Sequence, residues 1–217
     1  NRWRMLLETL DLPYENRDPW SNLLVKILES ESKKHLTQQL KLFPKSILFV
    51  EGPTEEVVIP LFAKKMGVDL DKIEIGIITL RGSSKGKYHL KLWREVSENK
   101  PVSLFMLLDS DAAEQAREAI RNKLIKKDHC FVLSKGSIED YYPSDILSEV
   151  IETLCGKTPS EKDLLGNRIV AIDSFLKKNG YTGDWKITVG RKVAQRIGMN
   201  QLHSEIERIL KRIISLS

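Results

Sequence analysis

The sequence predicts an α/β fold, a parallel sheet covered by helices on both faces with additional flanking helical segments. Three observations lead there. From residue 46 short apolar runs alternate with amphipathic stretches, the links between them are short, and the seven-residue run Val102–Leu108 carries no charge at all, as a strand buried on both faces requires. The runs are Ser46–Val50 (SILFV), Ile73–Thr79 (IEIGIIT), Val102–Leu108 (VSLFMLL) and Cys130–Leu133 (CFVL), and the uncharged Val102–Leu108 is the expected central strand. Helical periodicity fills the intervals at Pro53–Met66, His89–Glu98 and Ala112–Lys127.

The flanks read differently. Residues 1–43 look helical and peripheral: after the turn-rich LPYENRDPW, Ser21 can cap a helix whose Leu23, Leu24, Ile27 and Leu28 recur at helical spacing. Tyr141, Tyr142 and Pro143 close the alternating region, and helical patterns follow at Ser144–Leu154, Ser160–Lys178 and Asn200–Leu216, interrupted by NGYTGDWKITVG. The expected organisation is an N-terminal helical segment over 1–43, an α/β domain over 44–143, and a C-terminal helical region over 144–217 that packs on this domain or completes it.

Composition bounds the function. The 217 residues suit one domain with an appendage, and 41% apolar with 30% charged residues is a globular and not a disordered balance. A net charge of +5, from 35 Lys and Arg against 30 Asp and Glu, is weak evidence for a nucleic-acid partner on its own. No apolar run approaches the roughly 18 residues of a membrane span. Two cysteines, Cys130 and Cys155, exclude both a disulfide scaffold and a four-cysteine zinc site. The opening NRWRMLLETL has no signal-peptide pattern and no initiating Met, which fits a piece of a longer cytoplasmic protein. The histidines, His35, His89, His129 and His203, are scattered without ligand spacing, and Trp3, Trp20, Trp93 and Trp185 read as packing residues.

The informative feature is where the acids fall, since ligands of open parallel sheets bind beyond the carboxyl ends of the strands. After SILFV comes EGPTEE: Glu51 at the strand end, Gly52 for the turn, Pro53 at the first helical position, and Glu55 in the first turn, able to swing back towards Glu51. Glu56 reads as an acid favouring the positive end of the helix dipole, a role open to Glu55 as well. After the central strand comes LLDSDAAEQ, in which extended backbone would aim Asp109 and Asp111 to one side. Capping of the following helix would account for Asp111 and leave Asp109 unexplained. After CFVL comes SKGSIEDYYP; if the chain re-extends beyond Gly136, Ser137 and Glu139 face one way and Asp140 the other. Clustered carboxylates repel unless a cation lies between them, and oxygen ligands without a His or Cys cluster favour Mg²⁺ or Mn²⁺ over zinc. More carboxylates than one ion needs points to a pair of ions and to phosphoryl-transfer chemistry.

VEGPTEE, LLDSD and KGSIEDYYP, in that order on those elements, resemble a TOPRIM domain, and most closely the TOPRIM nuclease domain of the OLD (overcoming lysogenisation defect) family. The resemblance covers about residues 46–143. It implies a metal-dependent endonuclease that nicks or cuts DNA, with an ABC-type ATPase domain as the N-terminal partner in full-length members. It implies two divalent ions, Mg²⁺ or Mn²⁺ with Ca²⁺ as a non-native occupant, held by Glu51, Glu55, Asp109, Asp111, Ser137 and Glu139. Glu51 would also take part in proton transfer. A lysine of the C-terminal part would stabilise charge on the phosphate, and Lys192 in GRKVAQRI is the best match, with Arg191 its neighbour and rival.

The loop RGSSKGKYHLK offers Arg81, Lys85 and Lys87, with His89 and Lys91, as phosphate contacts. It is not a P-loop, since GSSKGKY is one residue short and ends in Tyr. Recombination mediators of the TOPRIM class need a four-cysteine zinc module, topoisomerases a catalytic Tyr on another domain, and primases further polymerase elements. A non-catalytic nucleic-acid-binding or regulatory module and an RNA-processing nuclease are the alternatives to a DNA endonuclease.

Overall fold

A computed structural model of the chain describes residues 44–80, 90–91, 93–94 and 102–217. The N-terminal helical segment, most of the expected His89–Glu98 helix and the loop residues Arg81, Lys85, Lys87 and His89 lie outside the described residues.

Among the described residues four strands form one parallel sheet: β1 (Ser46–Val50), β2 (Ile75–Thr79), β3 (Ser103–Leu108) and β4 (Cys130–Val132), in the spatial order β2-β1-β3-β4. The register puts Val50 beside Thr79 on one side and beside Leu107 on the other. Side chains alternate across the sheet and divide the core in two. Leu48, Val50, Phe105 and Leu107 face one cluster, while Ile47, Phe49, Met106 and Leu108 face another that includes Trp93. Both faces of β1 and β3 are therefore dry, which is why these two strands read as continuous apolar runs and not as alternating ones.

On the first face lie α1 (Pro53–Lys65), α3 (Ser144–Cys155), α4 (Arg168–Lys178), α5 (Lys186–Arg196) and α6 (Ser204–Leu216); α2 (Ala113–Arg121) covers the second. Several bounds depart from the sequence reading. The second strand starts at Ile75, not Ile73, because Glu74 turns with φ of 61°. The expected Ala112–Lys127 helix ends at Arg121, where Lys123 enters the left-handed region (φ 55°) and Leu124 and Ile125 turn into the core. Ser160–Lys178 is two pieces, a 3₁₀ turn over Glu161–Leu164 and α4, separated by Gly166 (φ 83°); Asn167 caps α4 by accepting from the Val170 amide at 3.1 Å. The last helix starts at Ser204, not at Asn200, with His203 as its cap.

The stretch NGYTGDWKITVG is not simply an interruption: its second half begins α5. Gly190 in that helix lets α5 press on α1. A Cβ there would lie 2.8 Å from Tyr142 Oη, 3.0 Å from Val58 Cγ1 and 3.1 Å from Thr54 Cγ2. The helix-weakening residue that obscured the helical pattern is thus what the close packing requires.

Candidate metal centre

The chain leaves β1 for β2 on one side, while β3 lies on the other. The sheet's switch point is therefore the opening beyond the carboxyl ends of β1 and β3. Glu51 follows β1 and Asp109 follows β3. The Asp109 amide donates to Glu51 Oε2 at 3.2 Å. Carboxylate oxygens of Glu51, Asp109 and Asp111 all lie within 4.8 Å of one another. The two aspartates converge without the extended backbone expected of them: the chain turns at Asp109 into a 3₁₀ turn over Ser110–Ala112. Neither carboxylate makes a capping hydrogen bond there, so capping does not account for Asp111.

Glu55 has both roles open to it in the sequence. Its Oε2 accepts from the Gly52 amide at 2.9 Å, closing the N-terminus of α1, and its buried side chain lines a cavity shared with Glu51 and Asp109. Burial, then the charges of Glu139 and Glu51, push its pKa up to about 7. Asp109 is pushed up to about 8 by burial first, then by Glu55, Glu51, Glu139 and Asp111. Glu56 instead accepts from Thr79 Oγ1 at 2.7 Å, at the end of β2.

Beyond β4 the chain does not re-extend. Ser137 starts a 3₁₀ turn over Ile138–Tyr141, made possible by Gly136 at φ 135°. The Gly136 carbonyl accepts from the Ser110 amide at 3.0 Å, joining this loop to the aspartate turn. Asp140 turns back to accept from the Ser137 amide (2.8 Å) and hydroxyl (3.2 Å), so the Ser137 hydroxyl is engaged locally. Glu139 is buried and lines the acid cavity.

That cavity, about 240 Å³, brings together Glu51, Glu55, Asp109 and Glu139 with residues from the C-terminal region: Ile169 on α4, and Asp184, Lys186 and Ile187 at the start of α5. Lys186 and Asp184 were not anticipated; Gly183-Asp184 immediately before a helix is the helix-start signal that could have located them. Lys192 lies on the same helix but roughly 9 Å further along, and it is not among the residues lining the cavity. Its neighbour Arg191 is exposed and likewise does not line it. Behind the acids the Tyr142 hydroxyl is buried with no hydrogen-bond partner among the described residues. Burial and then Glu139, Glu55 and Asp109 hold its pKa well above the ordinary value.

The residues fit a divalent cation. Oxygens around an octahedral ion with bonds of ~2.1 Å are separated by about 3 to 4 Å, compatible with the Glu51, Asp109 and Asp111 spacing of 4.8 Å or less. The donors are all hard, and the crowding that raises Asp109 and Glu55 is what a cation relieves.

Fold and site together define a parallel α/β module with an acidic cluster that could hold a metal ion. Residues 42–111 match the family model described as overcoming lysogenization defect protein-like, TOPRIM domain. The C-terminal region of the Xanthomonas campestris pv. campestris OLD protein superposes with a TM-score of 0.61 at 16% identity, over 80% of this chain and 96% of that one. The C-terminal region of the Burkholderia pseudomallei OLD protein gives 0.59 at 18% identity, over 80% and 98%. At these identities the structures establish a shared fold. No curated protein matches the chain. Among the described residues no helix is long and apolar enough to cross a membrane.

Proposed function

We propose that this chain is the catalytic part of an endonuclease that nicks or cuts DNA by phosphodiester hydrolysis with two divalent ions, Mg²⁺ or Mn²⁺. The observation that carries the reading is the meeting of Glu51, Asp109 and Asp111 within 4.8 Å at the switch point of a parallel sheet. These three would hold one ion, and Glu55 and Glu139, which line the acid cavity with Glu51 and Asp109, would hold the other. When bound, the ions polarise the scissile phosphate and make water nucleophilic at neutral pH.

The chain's own residues do the rest. The Asp109 amide fixes one oxygen of Glu51, which orients this carboxylate for a part in proton transfer. Lys186 at the cavity rim offsets charge on the phosphate, a role that the motif likeness gave to Lys192. Ile169 and Ile187 keep one wall of the cavity apolar and limit water. Asp109, Glu55 and Glu139 have no attraction for a polyanion without cations, so the acid set supports catalysis over simple nucleic-acid binding. DNA held by Arg81, Lys85 and Lys87, and an ABC-type ATPase domain elsewhere in a longer chain, are the partners of this reading.

The test is cleavage of supercoiled plasmid by the purified chain with Mg²⁺, Mn²⁺, Ca²⁺ or EDTA, beside Asp109→Ala. Ion-dependent nicking or linearisation that the variant loses supports the reading. DNA binding without cleavage under any ion would replace it with a regulatory module.

A further inference from the structure

The loop that carries Glu139 is tied at both ends to a single carboxylate outside the acid cavity. Glu205, in the first turn of α6, accepts from the Ser134 amide through Oε1 at 3.1 Å. Its Oε2 accepts from the Ser134 hydroxyl at 2.5 Å and from the Tyr141 hydroxyl at 2.8 Å. Ser134 opens the loop and Tyr141 closes its 3₁₀ turn. Tyr141 Oη also accepts from the Lys135 amide at 3.0 Å, so the ring oxygen braces the same segment from within. His203 fixes the other partner: its Nδ1 accepts from the Glu205 amide at 3.2 Å, and its ring meets Tyr141 edge-on at 4.9 Å.

Inside this closure a chain of polar links leads towards the acids. Asp140 folds back on Ser137, Gly136 accepts from Ser110, and Ser110 stands between Asp109 and Asp111. A displacement of Ser134 or Tyr141 would therefore reach Glu139 and the aspartate turn together. Burial pushes the Glu205 carboxyl up, but the hydrogen bonds from Ser134 and Tyr141 outweigh it and hold its pKa below the ordinary value, so it is a charged and strong acceptor near neutrality.

We infer that Glu205 is a positioning residue for the acid site, closing the Ser134–Tyr141 loop so that Glu139 and the Asp109–Asp111 turn are held ready for divalent ions. The inference rests on the metal-dependent reading above. Groups that orient ligands from behind typically change metal affinity by about 10- to 100-fold when removed.

The test compares the wild-type chain with Glu205→Ala, Glu205→Gln and Tyr141→Phe. Glu207→Ala is the control, since it removes the ion pair to Lys211 on the same helix but touches no part of the loop. Amide hydrogen exchange without metal reads the loop, and calorimetric titration with Mn²⁺ reads the site. Expected for Glu205→Ala are faster exchange confined to 134–141 and Mn²⁺ binding weaker by about 10- to 100-fold. Glu205→Gln and Tyr141→Phe should fall between it and wild type, and the control should change neither; these two carry the test if Glu205→Ala fails to fold. Unchanged loop exchange, or an unchanged Mn²⁺ affinity beside a wild type that binds the ion, overturns the inference alone. A wild-type chain that takes up no Mn²⁺ overturns this inference and the nuclease reading together.

Discussion

The amide of Asp109 donates to Oε2 of Glu51 at 3.2 Å, stitching the turn after β3 to the turn after β1 across the switch point of the sheet. One oxygen of Glu51 is thereby fixed by backbone, and Asp109 is held against it even though like charges repel. The protein keeps these carboxylates together in spite of their electrostatics, through strand register and a peptide hydrogen bond. Such an arrangement has a use when cations are present.

Removing one acid should therefore separate stability from function. Asp109→Asn is expected to abolish ion-dependent nicking, by at least about 100-fold, while raising the melting temperature of the metal-free chain. Plasmid nicking and calorimetry in EDTA measure the two effects. A variant that loses stability in EDTA would contradict the view that the cluster is electrostatically crowded.

Metal-free stability should fall with rising pH. Glu55 rises from 4.5 to about 7 and Asp109 from 3.8 to about 8, so between those limits the folded chain binds more protons than the unfolded one. Their contribution is fully present below about pH 4 and is lost as pH climbs through about 7 to 8. Melting temperatures in EDTA across this range should show the decline, superimposed on whatever the other groups contribute, and Asp109→Asn should flatten it.

Divalent ions should reverse that loss. Saturation to 100 times the dissociation constant stabilises a protein by about 2.7 kcal/mol, which for a chain of this size corresponds to a rise of roughly 5–10 °C. The rise should be larger at pH 8 than at pH 5, where protons compete for the same oxygens. Thermal unfolding with and without Mg²⁺ at the two pH values checks it.

Lys186→Ala and Lys192→Ala distinguish the two candidate lysines. Lys186 is at the cavity and Lys192 is not, so the first substitution should lower the nicking rate by about 10- to 1000-fold and the second by much less. Single-turnover nicking at saturating Mg²⁺ is the measurement. The reverse order would restore the assignment that the sequence motif favoured.

Gly190→Ala should destabilise the fold by about 1–3 kcal/mol, although Gly to Ala inside a helix ordinarily helps by about 1 kcal/mol. The added methyl would meet Tyr142, Val58 and Thr54 at the α1–α5 contact. Urea unfolding of the variant settles the sign.

The sheet and the positions of its acids were legible from the order of residues. Strands buried on both faces have no solvent side, so SILFV and SLFMLL announce themselves as unbroken apolar runs. Acids at the ends of such runs lie at one edge of a parallel sheet, which made Glu51 and Asp109 legible as neighbours before any coordinates. Tertiary structure alone decided the rest. Asp109 and Asp111 converge through a 3₁₀ turn and Glu139 enters through another, neither of which has a sequence period. Gly190 weakens the helical signal of α5 locally but is required by a contact with residues remote in the chain. Lys186 reaches the acids, and Glu205 pins the loop beyond β4, because α5 and α6 pack on the first face of the sheet. Periodicity records which side of an element is buried; it carries no record of which distant side chain will face it.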